Sequence, residues 1–181
     1  MTLSCRPVSD PAIIMGLPIH IDPRKLAMQI SRLEGRVDAS KLPRLAAAVN
    51  SISGEATATL NFENERSRAA LVDGEVNIKV EVQCQRCLDP VAVELQAVFA
   101  LQVISGEEFV DRVATAREPW IVEDRMANLH QMLEDELLLV LPAVNYHPVG
   151  TCTGDTFMTH REPDEVVTSP FNVLKSFKTR T

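Results

Sequence analysis

Val76-Asn77-Ile78-Lys79-Val80-Glu81-Val82-Gln83-Cys84-Gln85-Arg86-Cys87-Leu88-Asp89-Pro90-Val91-Ala92-Val93-Glu94-Leu95 is the stretch on which the reading of the fold turns. Side chains of a strand alternate between two faces, so Val76, Ile78, Val80 and Val82 make one apolar face and Val91, Val93 and Leu95 another. The polar interruption between them, Cys84-Gln85-Arg86-Cys87, is a turn. Strands joined so closely pair antiparallel, because a parallel pair needs a crossover of about a dozen residues.

Outward from this hairpin the same period continues. Ala56, Ala58, Leu60 and Phe62 share a face between Ile52 and Phe62, Val98 to Ile104 extends the apolar run after Leu95, and Asp73-Gly74 is expected to form a turn or bulge. Leu17-Pro18-Ile19-His20-Ile21 reads as a short strand that Pro18 confines to an edge. Arg24 to Leu33 fits a helix or a further strand. Between Asp38 and Val49 the period becomes helical, with Ser40 as cap, Pro43 in the first turn and Leu42, Leu45, Ala46 and Val49 recurring. Leu129, Met132, Leu133, Glu136, Leu137 and Val140 mark a stronger helix that Pro142 ends.

The expected fold class is therefore α+β, an antiparallel β meander or partly closed barrel packed by a long helix, with short additional helices. Residues 1–12 read as a flexible N-terminal segment, 13–152 as a single α+β domain and 153–168 as a flexible polar linker. Ser169-Pro170-Phe171 starts a short C-terminal helix, 169–181, with Leu174 and Phe177 on one side.

Two cysteines two residues apart bring two thiolates to one ion when the chain folds back between them. Cys84 and Cys87 form one half-site, and His147 and Cys152, just after the strong helix, offer the other. The set would be a closed structural site for Zn2+, with no position open for water. A second reading keeps the thiols reduced and inert at a hairpin tip, with His147 and Cys152 as ordinary loop residues. A redox role fits less well, since strands rather than a helix N-terminus flank the pair. Cys5 stands apart.

The remaining composition excludes more than it assigns. A net charge of -7 over 181 residues argues against broad electrostatic coating of nucleic acid, and one Trp, one Tyr and six Phe make a stacking platform scarce. RNA contact must be local: Arg86 at the knuckle, and Lys175, Lys178 and Arg180 at the C-terminal helix, are its candidates. Arg86 fits a solvated turn better than a phosphate contact, and the helix-end cations also suit the helix dipole. Glu134, Asp135 and Glu136 read as a solvated helix face, apart from Glu136, which falls on the apolar stripe and can accept hydrogen bonds at a helix–sheet seam. His20, His130 and His160 have no partner pattern and read as structural or surface residues. No phosphate loop, nucleophile elbow or zinc-protease helix is present, so no enzyme is expected. The acidic stretch from 106 to 124 reads as a solvated connection. Without an apolar span or a signal segment, a cytoplasmic location and no membrane partner are expected.

The ordered motifs Pro18-Ile19-His20-Ile21-Asp22, Asp73-Gly74, Cys84-Gln85-Arg86-Cys87, Glu134-Asp135-Glu136-Leu137-Leu138-Leu139 with Leu141-Pro142, and Ser169-Pro170-Phe171-Asn172-Val173-Leu174 resemble the large ribosomal RNA subunit accumulation protein family, YceD. The resemblance runs from about Leu17 to Lys178. It implies a non-enzymatic ribosome biogenesis factor supporting accumulation of large-subunit (23S) ribosomal RNA. Its partner would be precursor RNA or an early large-subunit particle. The alternative is an acidic adaptor that holds a basic ribosomal protein or another assembly factor, with 106 to 124 as the attractive surface. Members of the family often carry cysteines just after the Leu-Pro that closes the helix, positions that His147 and Cys152 take here.

Overall fold

The structure, a computed structural model, describes residues 16–65 and 69–154. The expected N-terminal segment, most of the linker and the C-terminal helix, with Cys5, His160, Lys175, Lys178 and Arg180, lie outside these described residues.

Three long strands form the centre of a five-stranded, mostly antiparallel, open sheet: β3 (Ser51–Asn64), β4 (Ala70–Gln83) and β5 (Pro90–Ile104). β2 (Arg32–Val37) lies beside β3, and β6 (Glu118–Ile121) closes the order β2-β3-β4-β5-β6 as a parallel neighbour of β5. Strand β6 falls inside the stretch read from sequence as solvated connection. A second, small ladder pairs β1 (His20–Ile21) with β7 (Ala127–Asn128), so the expected strand at Leu17–Ile21 shrinks to its last two residues.

One sheet face is apolar, as the period demanded. Ala56, Ala58, Leu60 and Phe62 of β3, Val76, Ile78, Val80 and Val82 of β4, and Leu95, Ala97, Phe99 and Leu101 of β5 are all buried. Helices cover that face: α1 (Pro23–Met28) packs on β3 and β4, and α3 (Leu129–Leu139) on β5 and β4. The helical reading of Asp38–Val49 divides into a 3-10 turn at Ala39–Lys41 and α2 (Pro43–Ala48). Pro43 does occupy the first turn. No helix among the described residues is long and apolar enough to cross a membrane.

Two further expectations need correction. Asp73-Gly74 is no turn; it lies within β4, with Gly74 opposite Leu60 on one side and Phe99 on the other. A Cβ at Gly74 would meet the Thr59 carbonyl oxygen at 2.7 Å and the Phe99 ring at 2.8 Å, so glycine is there to let the ring lie against the sheet. Its neighbour Asp73 clasps the Arg117 guanidinium through paired contacts of 2.9 and 3.0 Å, which ties the start of β6 across β5.

The second correction concerns α3. Its buried residues are Leu129, His130, Met132, Leu133, Glu134 and Leu137, so the inward face is turned toward Glu134 and away from Glu136 and Val140. The cause is a second neighbour. Helix α2 has no side-chain cap of its own, and Glu134 Oε1 accepts from the backbone N–H groups of Arg44 at 2.7 Å and Leu45 at 3.0 Å. A carboxylate from α3 thus satisfies the open donors of α2. His130 is structural, its Nε2–H donating to the Leu17 carbonyl at 2.9 Å.

Candidate metal centre

The β4–β5 hairpin ends in a turn closed by Cys84 N–H to the Asp89 carbonyl at 2.9 Å and Leu88 N–H to the Cys84 carbonyl at 3.0 Å. Pro142 stops the chain after α3, and the segment that follows doubles back over this turn. Gln85 N–H donates to the Asn145 carbonyl at 2.8 Å, so backbone pairing brings the two segments into contact before any side chain is considered. Gly150, at φ +85°, supplies the reversal between His147 and Cys152.

The ligand atoms of Cys84, Cys87, His147 and Cys152 consequently all lie within 4.8 Å of one another. The two half-sites, separated by the whole of β5, β6 and α3, meet at one end of the sheet. Cys84 Sγ is 3.9 Å from Cys152 Sγ, and Cys87 Sγ is 3.3 Å from His147 Nδ1. No two of these thiols are joined as a disulfide. Cys84 and Cys152 are buried, and Cys87 and His147 are half-buried.

The electrostatics suit a cation. His147 Nε2–H donates to the Pro90 carbonyl at 3.1 Å, which leaves Nδ1 as the ring nitrogen that faces the thiols. Burial pushes the Cys84 thiol up, yet the N–H groups of Cys87, Arg86 and His147, with the Cys87 side chain, bring it down to about 5. Burial raises Cys87, opposed by the Asp89 N–H and the Thr153 hydroxyl and reinforced by Cys84 and Cys152. The N–H groups around Cys84 favour its charged form, and a metal would draw the remaining thiols into theirs.

Arg86 occupies the knuckle tip with its guanidinium carbon 5.1 Å from the centroid of the exposed Tyr146 ring. Gly154 packs beneath it, since a Cβ there would meet the Arg86 side chain at 2.9 Å. Tyr146 was not singled out from sequence, though its place immediately before His147 was a signal available to find it. Glu134 and the Arg117–Asp73 clasp left no comparable pattern.

The large ribosomal RNA subunit accumulation protein YceD family matches residues 72–178, which includes both half-sites. The chain belongs to the YceD family. A curated member, the large ribosomal RNA subunit accumulation protein YceD of Haemophilus influenzae, is 30% identical over 167 residues, covering 90% of this chain and 96% of that relative. No solved structure matches this YceD chain.

Proposed function

We propose that this YceD chain supports accumulation of large-subunit ribosomal RNA without catalysis, by binding precursor RNA or an early large-subunit particle in the cytoplasm. The observation that carries the reading is Arg86 stacked over Tyr146 at the tip of a four-ligand knuckle. Zinc fits that knuckle: at about 2.3 Å from each sulfur, two tetrahedral thiolates stand roughly 3.8 Å apart, against the 3.9 Å between Cys84 and Cys152. Bound zinc would supply a closed structural cross-link. The residues then do the recognition. A guanidinium resting on an aromatic ring is held in place to meet phosphate, and the exposed Tyr146 ring offers one face to a base. Lys175, Lys178 and Arg180 would add phosphate contacts from the C-terminal segment.

Metal content and co-sedimentation with precursor particles test this together. The purified chain should carry one zinc, lost in Cys84→Ser and Cys152→Ser, and Arg86→Glu should weaken particle association about tenfold while flattening its salt dependence. Unchanged association in Arg86→Glu combined with reversal of Lys175, Lys178 and Arg180 would overturn the RNA reading; a metal-free wild type would overturn the clamp.

A further inference from the structure

Between β6 and α3 runs an open groove of about 530 Å3. Its floor and rim include Trp120, Ile121, Met126, Met132 and Leu139, of which Ile121 is 39%, Met126 50% and Leu139 73% exposed. Apolar side chains left in water along one channel mark a surface that something covers. The ionisable residues lining it are Glu118, Glu123, Asp124, Asp135 and Glu136, with no Lys, Arg or His among them. Arg44 pairs with Asp135 from α2; the other four carboxylates have no ion pair among the described residues. Glu136 is held above the usual carboxylate range by burial first, then by the charges of Glu118 and Asp135, so the groove concentrates negative charge of which the described residues pair only Asp135.

We propose that the groove between β6 and α3 is a docking site for a basic, partly apolar peptide segment of a partner protein, Lys or Arg side chains meeting Glu118 and Glu136 while aliphatic ones cover Trp120 and Ile121. Charge complementarity selects the occupant. Phosphate-bearing RNA would be repelled by the same carboxylates. A bare metal ion is not favoured either, since the one grouping of described residues close enough to chelate is the knuckle. Strand addition contributes little: Val122 N–H donates to the Ile104 carbonyl at 2.8 Å, so the alternate residues Pro119 and Ile121 face outward from β6, and Pro119 has no N–H to offer. Side chains therefore do the reading. The surface deepens the adaptor alternative and shares no residue with the knuckle.

Trp120 is the chain's one tryptophan and lines the groove, so its fluorescence reports occupancy directly. Titration of the full-length protein with a blocked peptide repeating Lys-Val-Arg-Ala should give a saturable change, and the same peptide with Glu for Lys and Arg should give none. Glu118→Gln/Glu136→Gln should weaken binding about tenfold. Glu107→Gln/Glu108→Gln, an equal charge change on the exposed turn after β5, should alter it less than about twofold. Those substitutions remove repulsion or sit on the surface, so folding is not at risk. Equal losses in the two double variants, no saturable Trp120 change, or displacement of the peptide from Trp120 by a uridine oligonucleotide would overturn the proposal. Arg86→Glu should leave this titration unchanged, which lets the peptide and RNA readings fail separately.

Discussion

Glu136 and Glu134 sit two positions apart on one helix in opposite surroundings. Glu134 is buried but accepts two backbone N–H groups, so its carboxyl has hydrogen-bond partners. Glu136 is only half-buried, and what surrounds it is desolvating surface and the carboxylates of Glu118 and Asp135. Its folded pKa lies above the ordinary 4.5, so the native state binds a proton more readily than the unfolded chain. The sign follows: the residue costs nothing below its unfolded pKa, and stability is lost as pH rises through the raised folded value. Glu136→Gln should therefore raise the melting temperature at neutral pH by an amount worth under about 1 kcal/mol, and the gain should vanish near pH 4. Thermal melts of the two proteins at both pH values check this. An equal gain at both would assign the effect to packing rather than charge.

Strands were legible wherever burial alone decided them. In β3, β4 and β5 one face is core and the other is solvent, so period two survives in the sequence without interference. The closeness of Cys84, Cys87, His147 and Cys152 was legible for a different reason: cysteine and histidine at short spacing are rare enough to be noticed. What failed to show were features set by a second neighbour. The inward face of α3 is turned by α2, β6 is a short strand held through Arg117 to Asp73 of β4 across the sheet, and Gly74 answers to a ring on an adjacent strand. Asp-Gly signals a turn when local backbone preference governs, and here tertiary packing overrode it. Gly74→Ala makes the point measurable. With contacts of 2.7 and 2.8 Å to the Thr59 carbonyl and the Phe99 ring, the added methyl should cost about 1–3 kcal/mol in denaturant titrations. Phe99→Leu in the same background should recover part of it by withdrawing the ring.

At the scale of the whole molecule the proposed cross-link sits at one end of the core, whose apolar cluster includes Cys84 and Cys152. The sheet and α3 bury Phe62, Leu60, Val72, Val76 and Leu133 against one another, whereas the knuckle ties the β4–β5 turn to the segment after α3. Cys84 and Cys152 are 68 positions apart, so a bridging ion closes a long loop, and such closures restrict the unfolded chain most. The loss on metal removal should nonetheless be expressed locally first, because the sheet keeps its ladders and apolar face while the turn keeps only a few backbone bonds. Stripping the ion with a chelator should speed amide exchange at Gln85, whose N–H meets the Asn145 carbonyl, by about a hundredfold. Amides of Val76 and Leu95, within the long β4–β5 ladder, should change by less than about threefold under the same conditions. Exchange that accelerates equally at all three positions would instead make the ion a condition for the sheet itself.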